Sequence, residues 1–201
     1  MSLSRETEVI FDSRRGQDYH SANPPLYDSS TFHQTVLGGN AQYDYARSGN
    51  PNRTLLEEKL ARLEGGKYAF AYASGIAAIT AVLLTLKSDD HVILPDDIYG
   101  GTLRLTEQIL NRFNIKFTTV NATNILEIKN AIQSNTKLIY VETPSNPLFK
   151  ITDIRAVARI AKQNNLLLAV DNTFMTPLGQ SPLALGADIV VHSATTVSYT
   201  H

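Results

Sequence analysis

The feature that most constrains the fold of this chain is a regular alternation of short aliphatic runs with longer segments of helical period. Runs rich in aliphatic or β-branched residues predict strands over residues 68–72, 91–94, 115–120, 137–141, 166–170 and 188–192. Apolar residues at helical spacing predict helices between most of them, over residues 75–86, 102–113, 124–133 and 152–163. This alternation is typical of an α/β fold in which a mostly parallel sheet carries helices on both faces.

The first 50 residues show neither period and are rich in Asn, Gly, Ser and Tyr. An aperiodic segment of this length is usually functional or packs against something outside its own domain, so we expect an extended N-terminal arm. A helix is predicted directly after it, because Asn50 can cap a helix, Pro51 suits the first position and Gly65 and Gly66 end the run. The arm is therefore assigned to residues 1–50.

Composition and charge exclude several functional classes. The 201 residues include 18 Lys and Arg against 19 Asp and Glu, a net charge of −1, so nothing favours nucleic acid or an anionic membrane as a partner. The chain has no cysteine, which excludes disulfides, thiolate metal sites and cysteine nucleophiles and suits a cytoplasmic protein. The first ten residues lack the apolar core of a signal peptide, and no apolar stretch is long enough to span a bilayer.

Motifs for several other chemistries are missing. The sequence has no Gly-x-Gly-x-x-Gly dinucleotide fingerprint, no Gly-x-x-x-x-Gly-Lys-Ser/Thr phosphate loop, no Gly-x-Ser-x-Gly elbow and no His-Glu-x-x-His. Its five histidines are scattered, and their spacing predicts no metal site.

Polar, aromatic or glycine residues follow five of the predicted strands, whereas the strand bodies are mostly apolar. These segments are residues 73–78, 96–101, 142–147, 171–173 and 193–196. Ligands of open α/β sheets bind beyond the carboxyl ends of the strands. The five segments therefore predict one composite ligand pocket.

Each candidate in that pocket also has a plain structural interpretation. Ser74 and Gly75 open a helix whose N–H groups suit a phosphate, although an ordinary capping serine is the commoner arrangement. Tyr99 can stack on a planar ring or simply be a half-buried tyrosine at a strand end. Asp171 ends an apolar strand and needs a partner, either a ring N–H⁺ or the N-terminus of the next helix.

Two further pairs are open in the same way. Ser193 and Thr195 can donate to a phosphate, but capping of backbone groups is the more common use of such residues. Tyr45 and Arg47 lie in the arm, where a solvated loop is the plain interpretation.

Six segments, taken in order and with their spacings, resemble the cystathionine γ-synthase/γ-lyase family of Cys/Met-metabolism enzymes, which use pyridoxal phosphate (PLP). They are residues 43–51, 73–78, 97–102, 142–147, 170–174 and 188–195. The resemblance runs from about residue 5 to residue 195. It implies that residues 51–195 form the large PLP-binding domain of a fold type I transferase, left incomplete, in a cytoplasmic homotetramer built as a dimer of dimers.

The resemblance implies that one group of residues holds the cofactor phosphate. Ser74 and the backbone N–H groups of Gly75 and Ile76 supply the first set of donors, and Ser193 and Thr195 supply the second.

It implies that another group surrounds the ring. Tyr99 stacks on the ring and helps with proton transfer, and Asp171 pairs with the pyridinium nitrogen, which makes the ring an electron sink. Asn146 contacts the ring hydroxyl or the substrate, and Thr173 is counted with the cofactor-binding residues. Tyr45 and Arg47 are expected to reach the phosphate of a neighbouring subunit, which would make the arm an interface element.

The sequence departs from the family at one position. The family motif ends Ser-Ala-Thr-Lys, and that lysine forms the Schiff base with PLP, whereas this chain has Thr196 in its place. Residues 196–201 do not follow the family, and we expect the family's C-terminal domain to be absent. We expect a frameshift with an early stop rather than a natural pseudoenzyme or an engineered fragment. Lys150 is expected to be a solvated loop lysine and no substitute.

Two functions remain at this stage. In the first, the chain is the N-terminal portion of a PLP-dependent transsulfuration enzyme acting on a small amino acid. Such an enzyme performs γ-replacement on an activated homoserine ester with cysteine, or elimination from cystathionine as a γ-lyase or β-lyase. This chain itself is expected to be inactive because of Thr196. In the second, it is a non-catalytic product that binds PLP weakly or pairs with intact subunits.

Overall fold

The computed structural model describes residues 4, 6–7, 23–34, 36 and 38–196. The expected tail beyond Thr196 and part of the expected arm lie outside these residues. The chain divides into two compact units, Met1–Ala71 and Tyr72–His201. No helix in the described part of the chain is both long and apolar enough to cross a membrane.

The first unit is organised around helix α1, Pro51–Glu64, which confirms the helix predicted after Asn50. The Asn50 side chain accepts a 2.8 Å hydrogen bond from the Asn52 N–H, and Gly65 ends the helix with a φ of 72°, a conformation that glycine adopts without strain. The Asn52 side chain in turn accepts from the Tyr27 N–H at 2.7 Å. The start of α1 thereby anchors part of the arm.

The strand predicted over residues 68–72 is wrong. The structure assigns no strand there, and the side chains of Tyr68 and Phe70 are 70% and 72% exposed. The alternation of aromatic residues with alanine favours an extended backbone, but a strand exists only where a second strand accepts its hydrogen bonds. No described residue supplies that pairing.

The second unit contains the predicted parallel sheet. Its strands are β1 His91–Pro95, β2 Lys116–Val120, β3 Thr136–Glu142, β4 Leu167–Asp171 and β5 Ile189–Val191. They lie in the order β2-β1-β3-β4-β5, and all four neighbouring pairs are parallel. Because the order runs outward in both directions from β1 and β3, the chain reverses there, and a crevice opens beyond the carboxyl ends of these two strands.

Helices cover both faces of the sheet, which confirms the predicted α/β class. They are α2 Gly75–Leu83, α3 Gly100–Gln108, α4 Ile125–Asn130, α5 Ile154–Gln163, α6 Thr176–Gly179 and α7 Pro182–Leu185. Successive residues of β1 point into opposite apolar clusters, Val92 and Leu94 into one and Ile93 into the other. The helix predicted over residues 102–113 is interrupted: α3 gives way to a 3₁₀ turn, Leu110–Phe113.

A buried histidine joins three strands at the amino edge of the sheet. His91 is 1% exposed, and its ring nitrogens lie 2.8 Å from the Thr136 hydroxyl and 2.9 Å from the Thr118 hydroxyl. Burial lowers the pKa of His91 below its ordinary value of 6.5, because water no longer solvates the charged ring. The neutral ring is therefore the form that the fold accommodates.

We expect His91 to make stability fall in acid. Its contribution is complete above pH 6.5 and is lost as the pH falls through the lowered pKa, because folding then requires a proton to be released. Replacing it with His91→Gln should reduce the loss of unfolding free energy between neutral and acidic pH, measured by urea denaturation. The exposed His33→Gln is the matched control. An acid sensitivity that is the same in both variants would contradict the assignment.

Candidate functional site

The carboxyl edge of the sheet contains a cavity of about 270 Å³. Its walls come from the segments that follow β1, β3, β4 and β5 and from the start of α2. Ten residues predicted for the pocket line it: Ser74, Gly75, Ile76, Tyr99, Asn146, Asp171, Thr173, Ser193, Thr195 and Thr196. The structure thus brings together the candidates that belong to the second unit.

The N-terminus of α2 forms one wall of the cavity. The first hydrogen bond of the helix runs from the Ala78 N–H to the Ser74 carbonyl, so the N–H groups of Gly75 and Ile76 precede the helical ladder. The Ser74 hydroxyl accepts from the Ala77 N–H at 3.2 Å, which shows that this serine does cap the helix. Because the N–H groups of a helix start and its dipole both attract anions, this wall suits a phosphate.

Close packing at Gly75 brings two hydroxyl groups to the same wall. A Cβ atom at Gly75 would lie 2.6 Å from the Ser193 Cβ, so only glycine permits the loop after β5 to approach this closely. The hydroxyls of Ser193 and Thr195 lie 3.2 Å apart. Together with the helix start, they form a cradle of donors.

Asp171 ends β4 and is buried, with both oxygens hydrogen bonded. Its Oδ1 accepts from the backbone N–H of Thr173 at 3.0 Å and from the Thr173 hydroxyl at 2.5 Å. Its Oδ2 accepts from the hydroxyl of Tyr140 at 3.1 Å. Thr173 also accepts from the Ser193 N–H at 2.9 Å, which ties the ends of β4 and β5 together. The carboxylate is therefore held in one orientation at the wall of the cavity.

Tyr140 is a site residue that the sequence did not reveal. It lies in the middle of β3 among aliphatic residues and is completely buried. Burial raises its pKa well above 10, and the charges of Asp171 and Glu142 raise it further. The hydroxyl therefore keeps its proton and remains a donor to Asp171. The signal for it was a tyrosine inside a fully buried strand, whose hydroxyl must find a partner.

Glu142 lies in the 142–147 segment predicted for the pocket but was assigned no role; it ends β3 directly beside Asp171 in the strand register. Its Oε2 accepts from the Tyr99 backbone N–H at 2.9 Å. Burial raises the pKa of Glu142 to about 7, helped by the charges of Asp171 and Asp97 and opposed by the backbone hydrogen bonds from Tyr99 and Asn146. The edge therefore carries two neighbouring acidic side chains, Asp171 and Glu142, and the pKa of Glu142 lies near neutrality.

Tyr99 and Asn146 lie on the loops that follow β1 and β3. The side chain of Tyr99 is 45% exposed, so its ring is free to meet a ligand. Asn146 lies in a loop that contains cis peptide bonds at Thr143-Pro144 and Asn146-Pro147. In the same loop the Lys150 ammonium pairs with Asp96 at 3.0 Å; its side chain is 31% exposed and does not line the cavity.

Thr196 lies at the cavity wall, where its N–H donates to the Ser193 carbonyl at 3.0 Å.

Tyr45 and Arg47 belong to the first unit. There Tyr45 forms an antiparallel bridge with Thr31, and the Arg47 guanidinium lies 4.9 Å from the centre of its ring. Their role toward a neighbouring subunit stays a prediction.

The donor set of the cavity limits what it can bind. It combines N–H and hydroxyl donors for an anion, a buried carboxylate for a cationic N–H, and an exposed aromatic ring. No group of three His, Asp or Glu side chains is placed to hold a metal ion in the described ranges. The site suits a planar ligand that carries both an anionic group and a protonated ring nitrogen.

Comparison with known proteins places the chain in a family. The sequence model described as Cys/Met metabolism PLP-dependent enzyme matches residues 6–197. The chain is 85% identical over 195 residues to cystathionine beta-lyase MetC of Staphylococcus haemolyticus. The match covers 97% of this chain and 50% of that protein. It is 48% identical over 194 residues to cystathionine gamma-lyase of Bacillus subtilis, covering 96% and 51%.

Solved structures give the same result. Cystathionine gamma-lyase from Lactobacillus plantarum complexed with L-serine superposes with a TM-score of 0.91 at 44% identity, covering 96% of this chain and 51% of that one. The metB protein of Corynebacterium glutamicum gives a TM-score of 0.92 at 43% identity, with the same coverage. The chain therefore spans about half the length of the relatives it matches.

Tyr140→Phe should destabilise the chain, because it leaves Asp171 Oδ2 one donor short inside the fold. An acceptor left unsatisfied in this way costs about 1–3 kcal/mol of unfolding free energy. Tyr99→Phe is the control with the same chemistry, and we expect its effect to stay within about 0.5 kcal/mol because that side chain is half exposed. Equal effects of the two substitutions in urea denaturation would contradict the buried hydrogen bond.

Proposed function

This chain belongs to the family of Cys/Met metabolism PLP-dependent enzymes, and we propose that it is the cofactor-binding portion of a cystathionine lyase of the β-lyase type. The observation that carries the substrate choice is the 85% identity to a cystathionine beta-lyase across nearly the whole chain. The γ-replacement on a homoserine ester considered from the sequence has weaker support, since a probable cystathionine gamma-synthase is 42% identical.

The residues of the cavity fit PLP, the cofactor of the family. In the proposed function the N–H groups of Gly75 and Ile76 and the hydroxyls of Ser193 and Thr195 bind its phosphate, with Ser74 capping the helix behind them. The fit is supported by the donor cradle at Gly75, where any side chain would collide with Ser193.

The remaining residues orient the ring. Asp171 would accept a hydrogen bond from the protonated ring nitrogen, and Thr173 and Tyr140 hold that carboxylate in place. Tyr99 stacks on the ring, and Asn146 contacts its hydroxyl or the substrate. When bound, PLP supplies an electron sink for carbanion chemistry on an amino acid.

We propose further that this chain does not catalyse the reaction as it stands. Thr196 occupies the position of the family lysine at the cavity wall. Its hydroxyl cannot link covalently to an aldehyde as a lysine amine does, and it is too weak a base to move a proton from the substrate. The chain would then hold the cofactor through its phosphate and ring contacts alone.

Thr196 also favours a second candidate function, a non-catalytic subunit that binds PLP weakly or pairs with intact copies. In that assembly, residues 1–50 would form the interface arm, and Tyr45 and Arg47 would reach the phosphate of the neighbouring subunit. A homotetramer is the expected assembly in the proposed enzyme.

Borohydride reduction distinguishes covalent from non-covalent binding. With PLP, the chain should yield no cofactor-modified lysine after reduction beyond the background on exposed lysines. Thr196→Lys should yield modification at residue 196, because it restores a reactive amine to the cavity wall. Peptide mass spectrometry reads the position. Specific modification of Lys150 or another lysine in the unsubstituted chain would overturn the assignment of Thr196.

Restoring the lysine should not restore turnover. Within residues 1–201, Thr196→Lys supplies the amine but nothing that corresponds to the remaining half of the relatives' length, where we propose that the substrate carboxylate is bound. Positioning of the substrate contributes about 7–11 kcal/mol to lowering a barrier, so a site without it should be nearly inert. Cystathionine cleavage by Thr196→Lys at the rate of a full-length lyase would contradict this part of the proposal.

A further inference from the structure

We propose that Glu142 is a positioning residue of the cofactor cavity, whose carboxylate fixes the loops carrying Tyr99 and Asn146 relative to each other. The inference rests on the proposed function, because it concerns the residues assigned there to the PLP ring. Glu142 itself received no role from the sequence.

The carboxylate of Glu142 ties the loop after β1 to the end of β3, where the Asn146 loop begins. It is 6% exposed at the end of β3, and its Oε2 accepts from the Tyr99 N–H at 2.9 Å. Asn146 lies four residues further along the chain, on the loop that leaves β3 at Glu142. One side chain on a rigid central strand thereby joins the two loops at the point where the strand order reverses.

The contact with Tyr99 replaces a missing helix cap. Tyr99 is the N-cap residue of α3, and its own side chain makes no capping hydrogen bond. In a capping box, a glutamate within the same helix accepts from the N-cap N–H. Here the glutamate comes from the sheet instead. The sheet therefore fixes the position of the first residue of α3 and of the Tyr99 ring beside it.

A second carboxylate makes the reciprocal contact. Asp97 lies on the Tyr99 loop and is buried, and its Oδ2 accepts from the Leu148 N–H at 3.2 Å and from the Ser145 hydroxyl. Ser145 and Leu148 flank Asn146 and Pro147. Each loop is thus held by an acid from the other side of the crevice. We call the pair Glu142 and Asp97 the carboxylate brace.

The negative charges of the brace lower the stability of the fold, which indicates that the carboxylate serves another purpose. Glu142 faces Asp171 on β4, Asp97 on the loop after β1 and Tyr140 on its own strand, and none of these groups is a cation. Buried like charges are unfavourable, so stability alone would favour an amide at this position. An ionised glutamate presents an acceptor oxygen to the Tyr99 N–H whichever way its carboxylate turns, whereas one end of an amide or of a protonated acid carries donor hydrogens.

The brace should therefore respond to pH in a defined direction. Because the pKa of Glu142 is raised to about 7, its ionised form becomes dominant only above that pH. Ionisation tightens the hold on the Tyr99 N–H while lowering the stability of the fold. A cationic ring nitrogen on neighbouring Asp171 would favour the ionised form, so cofactor binding and ionisation of Glu142 support each other.

The test compares Glu142→Gln with the exposed control Glu107→Gln in the full chain. Affinity for PLP is measured by equilibrium dialysis above and below pH 7, and the induced circular dichroism of bound PLP reports the ring environment. We expect Glu142→Gln to weaken binding about tenfold above pH 7 and much less below it. Thermal unfolding should show that the variant folds at least as well as the unsubstituted chain above pH 7, because a buried charge is gone.

A second measurement makes the brace testable without PLP. Amide hydrogen exchange over residues 96–101 and 143–150 of the unliganded chain should accelerate in both segments in Glu142→Gln and in neither segment in Glu107→Gln. Unchanged exchange, or a PLP affinity ratio that does not vary with pH, would overturn the inference. Failure of the unsubstituted chain to bind PLP, with faster exchange in the variant, would instead overturn the proposed function alone.

Discussion

Burial of the central parallel strands β1, β3 and β4 on both faces is the constraint on which the site depends. The strand bodies must be apolar because helices pack on each side, so β1 alternates Val92 and Leu94 toward one core and Ile93 toward the other. Polar side chains are then left to the strand ends, and parallel pairing places those ends at one edge. The reversal of strand order between β1 and β3 opens that edge into a crevice.

The acidic side chains at this edge can remain ionised and oriented only because the surrounding fold supplies hydrogen-bond donors to them. Asp171 is held by Tyr140 and Thr173, and Glu142 accepts from the backbone N–H of Tyr99. Without these donors, a buried carboxylate would take up a proton or disrupt the fold. Because the groups that would contact a cofactor are already oriented, little of its binding free energy is lost in ordering them.

Sequence reasoning recovered the features that depend on local pattern. Aliphatic runs and helical spacing predicted the α/β class, and the small residues after Ser74 predicted the start of α2 at the cavity wall. Sequence reasoning failed where contacts with residues distant in sequence determine the local structure. The 68–72 segment has the pattern of a strand but pairs with no other strand among the described residues. Tyr140, Glu142 and Asp97 act through hydrogen bonds between strands and loops that no local pattern encodes.

The central claim is that this cavity binds PLP through its phosphate and through Asp171, without a lysine. Equilibrium dialysis of the unsubstituted chain against PLP and against pyridoxal, repeated with Asp171→Ala, tests it most directly. The account predicts saturable binding of PLP at one site, weaker binding of pyridoxal because the cradle at Gly75 has no phosphate to hold, and loss of PLP affinity in Asp171→Ala. Equal binding of PLP and pyridoxal, unaffected by the substitution, would contradict it.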